Sequence, residues 1–195
     1  LLSYLRILTP MPSLPRKLKM MRLRLKRSWI SQNTNAIKVC KKLYFDENRK
    51  KVGIISRGYK GRRSSKDPYI LSENDNAIDF GDEAVYLSRR LSNAMVCVCK
   101  DKYRAAQMLV KSGAEIIISD DGLQHYKLGR DYEIAVVDGT RLLGNQYLLP
   151  SGQLRDSISS LHDVDLVLLN GGYEAFSNWE NYLHSSGIGL SLIHI

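Results

Sequence analysis

From about residue 34 onward, apolar positions along the chain follow two alternating patterns. The first is a short run without polar alternation: Val52-Gly53-Ile54-Ile55, Ala94-Met95-Val96-Cys97-Val98-Cys99, Ile116-Ile117-Ile118 and Ile134-Ala135-Val136-Val137. Such runs suit strands covered on both faces, as in a parallel sheet between helices. They predict strands over 52–55, 94–99, 115–119 and 133–137, with a last one over 164–169. The second pattern has helical spacing. Thr34 can cap a helix carrying Ala36, Ile37, Val39, Cys40, Leu43 and Tyr44 on one face. Gly81-Asp82-Glu83 opens a second, with Ala84, Leu87, Ser88 and Leu91 as its stripe. Asp101 caps a third, whose stripe is Tyr103, Ala106, Leu109 and Val110 and whose stop is Gly113. Residues 62–76 read as a polar loop holding a short strand at Tyr69-Ile70-Leu71. Alternating strand and helix argues for an α/β fold with a mostly parallel sheet and helices packed on it.

Charge changes this picture only at the amino-terminal end. The net charge is +9, yet residues 1–51 hold 14 Lys/Arg against Asp46 and Glu47 alone. The remaining 144 residues carry 15 Lys/Arg against 18 Asp/Glu, so the α/β part is mildly acidic. Residues 1–33 alternate leucine with basic residues and contain no glycine. They read as a basic leader: an amphipathic segment on a membrane, a disordered arm, or sequence that is not native coding. No apolar stretch is long enough to span a bilayer. Cys40, Cys97 and Cys99 are too few for a disulfide framework and lack further zinc ligands nearby, so they read as structural thiols.

Candidate chemistry gathers where the predicted strands end. Asp120-Asp121-Gly122-Leu123-Gln124-His125 follows one of them, and polar residues there sit where open α/β sheets bind ligands. Adjacent carboxylates repel unless a cation or proton answers them. Mg²⁺ carrying a nucleotide is a suitable answer, since it takes hard oxygen ligands and few of them from protein. A helix-capping Asp followed by a loop explains the same string without chemistry. Ser56-Arg57-Gly58-Tyr59-Lys60-Gly61 is a glycine-bearing loop at another strand's carboxyl end, and Asp82 has capping as its plain alternative.

In their order, Ser56-Arg57-Gly58-Tyr59, Gly81-Asp82-Glu83, Asp120-Asp121-Gly122-Leu123-Gln124-His125 and Leu148-Leu149-Pro150 with Gly152 and Leu154-Arg155 resemble the tetraacyldisaccharide 4′-kinase family. These are ATP-dependent lipid kinases of lipid A assembly, and the likeness covers roughly residues 35–172. It implies a P-loop NTPase-like α/β fold with MgATP at the carboxyl edge of the sheet. It also implies transfer of the γ-phosphoryl to the 4′-hydroxyl of an acylated glucosamine disaccharide 1-phosphate. Asp82 matches the carboxylate that helps deprotonate the hydroxyl, and Arg155 would neutralise the transferring phosphate. Asp120 and Asp121 would hold or orient Mg²⁺, Gln124 and His125 would line the ATP site, and Arg57 and Tyr59 would face the disaccharide. The setting implied is peripheral attachment to the cytoplasmic face of the bacterial inner membrane, with no nucleic-acid partner. The plain alternatives are a surface ion pair for Arg155, a core histidine for His125 and loop packing for Tyr59.

Two stretches depart from the family. Its phosphate-binding loop, G-x-x-x-x-G-K-[ST], belongs just before the helix near Asn35, where Trp29-Ile30-Ser31-Gln32-Asn33-Thr34 has neither glycine nor lysine. Such a loop needs both, to wrap and to reach the phosphates. Residues 173–195 match nothing expected either, and His184 and His194 receive no catalytic role. The sequence therefore predicts three parts: an atypical leader 1–33, a partial kinase core 34–172 and an atypical tail 173–195. The chain is expected to be an inactive fragment that binds ATP poorly. The rival expectation is a non-catalytic P-loop-like protein using the basic arm on anionic lipid or nucleic acid.

Overall fold

The computed structural model describes residues 3–8, 51–63, 67–91, 93–120, 128–129, 131–138, 143–154, 156–170, 179, 181 and 192–194. The helix expected behind Thr34, together with Cys40, Asp121, Gln124, His125 and Arg155, lies outside these residues. The chain divides into two compact units, residues 51–131 belonging to one and residues 132–195 to the other.

The first unit is built on β2 (Val52–Ser56), which is flanked by β4 (Ala94–Val98) and β5 (Ile116–Asp120), both parallel to it. β3 (Tyr69–Ile70) joins β4 antiparallel at the edge. The register pairs Val52 with Ala94 and Ile116, so the carboxyl ends of three strands open on one side. Strand residues alternate between faces. Ile55, Cys97, Cys99 and Ile117 meet the buried Ala105, Ala106 and Leu109 of the helix α3 (Lys102–Lys111). Ile54, Val96, Val98 and Ile118 point the other way and are equally buried. Helix α2 (Asp82–Arg90) packs on β4 and buries Ala84, Val85 and Leu87. Coverage on both faces is what the unbroken apolar runs predict.

The stripe expected on α3 is wrong in part. Tyr103 and Val110 are 45% and 42% exposed, while Lys102, Ala105, Ala106 and Leu109 are buried. Small residues set this face. A Cβ on Gly53 would lie 3.0 Å from both Leu109 methyls and 3.2 Å from Ala114, so strand and helix approach where side chains are smallest. Large Tyr103 is turned out as a consequence. The polar loop expected over 62–76 gives way to a short helix at its end, α1 (Ala77–Phe80), capped by the Asn76 side chain accepting from Asp79 N–H at 2.9 Å.

The second unit holds β6 (Tyr132–Asp138), β7 (Leu166–Asn170) and β8 (Leu192–His194), paired in that order and all parallel. A 3₁₀ segment, Ile158–Asp163, precedes β7 and buries Leu161. Within the stretches read as leader and tail, Ser3–Leu8 (β1) and β8 are strands, which the charge and motif patterns there did not predict.

Candidate active site

The carboxyl edge of the first unit brings two of the separated motifs together through their backbones. β2 ends at Ser56, whose carbonyl accepts from Cys99 N–H at 3.1 Å and whose hydroxyl accepts from Gly58 N–H at 3.3 Å. The chain then folds into a tight turn closed by Gly61 N–H donating to Gly58 C=O at 3.1 Å. This turn is laid directly on the α1–α2 junction. Arg62 N–H donates to Ile78 C=O at 2.9 Å and Arg63 N–H to Asp79 C=O at 2.8 Å.

Glycine makes that contact possible. Gly58 and Gly81 have φ of +66° and +89°, a region that costs other residues energy. A Cβ on Gly81 would stand 2.5 Å from Tyr59 O, and one on Gly61 would stand 2.6 Å from Asp79 O. A Cβ on Gly58 would collide with Val98 Cγ1. Phe80 is buried beneath, stacked on Tyr69 with ring centroids 4.8 Å apart. The loop carrying Arg57 and Tyr59 is thereby fixed to the residue preceding Asp82.

Asp82 is the first residue of α2, after a Gly81 cap that has no side chain to offer. Its carboxylate is exposed and makes no hydrogen bond or ion pair among the described residues. The helix dipole favours negative charge there, but no capping bond uses the side chain. Arg57 is exposed, and Tyr59 is 72% exposed with Lys60 Nζ 5.6 Å from its ring centroid. An accessible carboxylate whose helix start is fixed by backbone contact to the loop bearing Arg57 and Tyr59 can accept a proton from a hydroxyl that reaches it.

Asp120 is the last residue of β5, on the same edge as the ends of β2 and β4. Lys102 is at this edge too, and the motif reading gave it no role. It opens α3 immediately after the Asp101 cap and is only 3% exposed. A buried cation at a helix amino terminus opposes the dipole, and the one signal in the sequence was its place beside a capping Asp at a strand's end. In the second unit, the string expected to precede Arg155 forms a closed loop. Leu149 N–H donates to Leu154 C=O at 2.9 Å, Gly152 N–H to Leu148 C=O at 2.9 Å and Asn145 Nδ2 to Ser151 C=O at 3.0 Å. Buried Leu143 and Leu154 anchor its two ends.

A family model described as tetraacyldisaccharide-1-P 4′-kinase matches residues 34–188. The chain belongs to this family. The tetraacyldisaccharide 4′-kinase of Haemophilus influenzae is 46% identical over 134 residues, which is 68% of this chain and 40% of that protein. That of Legionella pneumophila is 45% identical over 136 residues, 70% of this chain and 41% of that protein. The chain thus spans about two fifths of the length of the curated relatives it matches. A crystal structure of LpxK from Aquifex aeolicus in complex with ATP superposes with a TM-score of 0.57 at 22% identity, covering 80% of this chain and 64% of that one. The likeness establishes the fold as P-loop NTPase-like α/β, as the alternation of strands and helices and the family resemblance implied.

Proposed function

We propose that this chain is part of a lipid kinase that moves the γ-phosphoryl group of ATP to the 4′-hydroxyl of an acylated glucosamine disaccharide 1-phosphate. The observation that carries the reading is the exposed Asp82 carboxylate, unpartnered among the described residues, on a helix start held by backbone contact against the loop bearing Arg57 and Tyr59. In this reading Asp82 takes the hydroxyl proton as the 4′-oxygen bonds to phosphorus and the bond to the β-phosphate oxygen breaks, releasing ADP. Arg57 and Tyr59 hold the sugar headgroup, by ion pairing and ring contact. Arg155 answers the charge on the transferring phosphoryl group, for which a planar donor fork is suited. Gln124 and His125 line the nucleotide.

Asp120 and Asp121 fit Mg²⁺ by their chemistry: Asp120 ends a parallel strand, Asp121 follows it in sequence, and carboxylates are hard oxygen donors of which Mg²⁺ bound with nucleotide needs only one or two. When bound, the ion neutralises phosphate charge. The acceptor is a lipid and ATP is cytoplasmic, so the protein works at the cytoplasmic face of the inner membrane, attached to its surface. Among the described residues no helix is long and apolar enough to cross a membrane. Nucleic acid has no part in this reading.

The segment at 29–34 has no glycine or lysine for the phosphates, so the chain by itself is an incomplete kinase. The test is therefore a chimera in which residues 35–170 replace the corresponding segment of a curated relative. Mass spectrometry is expected to find one phosphate added at the 4′-position of the lipid. A folded chimera that leaves the lipid unmodified contradicts the proposal.

A further inference from the structure

We propose that the turn from Arg57 to Arg63 is a docking surface for an anionic phospholipid bilayer, with Arg62 and Arg63 as its main contacts. The inference rests on the membrane setting just proposed and assigns it to particular side chains. Arg57, Lys60, Arg62 and Arg63 place four cations within seven residues, and all four are exposed. None of them forms an ion pair among the described residues. Other arginines of this unit do find partners: Arg104 pairs with Asp67 at 2.9 Å, and Arg89 donates to Asp75 C=O at 3.2 Å. Asp79 lends its carbonyl to Arg63 N–H while its carboxylate accepts from Asn76 Nδ2 at 3.0 Å, and neither it nor the exposed Asp82 forms an ion pair with these cations among the described residues. Four like charges on one short turn repel each other, and a polyanionic surface relieves that repulsion.

The backbone beneath these cations is already fixed. Lys60 is held at φ 62°, the turn is closed from Gly61 to Gly58, and Arg62 and Arg63 are each pinned to α1. Contact therefore orders side chains only and leaves most of the electrostatic gain intact. Tyr59 is the most exposed of the large apolar side chains among the described residues, at 72%. An aromatic ring among basic residues suits the headgroup layer, where the cations meet lipid phosphate while the Tyr59 ring stays at the level of the sugar it is proposed to hold. A protein partner or a nucleic acid offers no such reason for placing this turn beside Asp82, whereas a lipid acceptor has to be reached from the bilayer surface.

The experiment is sedimentation of the full chain with vesicles of phosphatidylcholine containing anionic phosphatidylglycerol, compared with pure phosphatidylcholine. Basic residues near a bilayer contribute about 1 kcal/mol each, so R62Q/R63Q is expected to weaken binding to anionic vesicles about thirtyfold. The control R90Q/K111Q removes two exposed cations elsewhere on the same unit and is expected to change it by much less. Circular dichroism verifies that both variants are folded. Equal losses in the two variants would assign the effect to net charge and overturn the proposal, while leaving the membrane setting standing. No binding of the unaltered chain to anionic vesicles overturns both. Loss of RNA binding in R62Q/R63Q with vesicle binding intact also overturns it.

Discussion

At the scale of single residues, the described site separates side chains held for structure from one left open. Asp82 begins a helix but caps nothing, and its carboxylate stands in solvent. Cys97 is the opposite case. It is fully buried, and that burial, reinforced by the neighbouring Cys99, pushes its thiol from 9.0 up to about 12, against a smaller lowering by the Tyr69 backbone. The thiol stays protonated in the fold while the unfolded chain ionises near 9.0. The folded state therefore holds the extra proton between these values, and stability present below pH 9.0 is lost as pH rises toward 12. Urea midpoints measured from pH 8 upward are expected to fall above pH 9, and Cys97→Ala is expected to flatten that slope. An unchanged slope in the variant contradicts the assignment. The same reading makes Cys97 a packing residue, as the lack of further zinc ligands near it in the sequence had suggested.

At the scale of elements, the decisive feature is the docking of the 56–63 turn onto the α1–α2 junction. The sequence displayed the glycines but not their pairing, because Gly58, Gly61 and Gly81 matter through contact between segments some twenty residues apart. Gly81→Ala combines a left-handed φ with a Cβ 2.5 Å from Tyr59 O, and both count against it. It is expected to cost about 2–4 kcal/mol by denaturant unfolding and to loosen the turn, giving faster amide exchange at Gly61, Arg62 and Arg63. Wild-type stability and exchange in this variant would mean that the contact is not holding the turn. The strands β2 and β4 to β7 were legible because buried parallel strands read as short apolar runs bounded by turn residues, whereas β1 and β8 carried no such signal. The face of α3 was not. The apolar period points to Tyr103 and Val110, while the packing is set by Gly53 and the alanines, where small size outweighs hydrophobicity.

At the scale of the molecule, the chain carries a family core in which the edge proposed to meet the acceptor is described, while residues 29–34 have neither glycine nor lysine for a phosphate loop. Calorimetry with MgATP is expected to show no saturable binding by this chain in the millimolar range, and tight binding would mean the phosphates are held by other groups. Part of the candidate site has a described place in the fold. Arg57, Tyr59 and Asp82 came from separate motifs and share one edge, and Asp120 is the last residue of β5, one position beyond the strand predicted over 115–119. Arg155, Gln124, His125 and Asp121 rest on the family motif alone, since they fall outside the described residues. Lys102 escaped notice because a single lysine after a capping Asp looks like any solvated helix start until its burial is seen. The measurement that tests the account most directly is turnover of the 35–170 chimera with and without Asp82→Asn. If Asp82 is the general base, as proposed, its loss lowers kcat by about 10²–10⁴-fold with the fold and lipid binding retained. Unchanged turnover in the Asn variant would remove Asp82 from the mechanism and with it the reason for the edge that surrounds it.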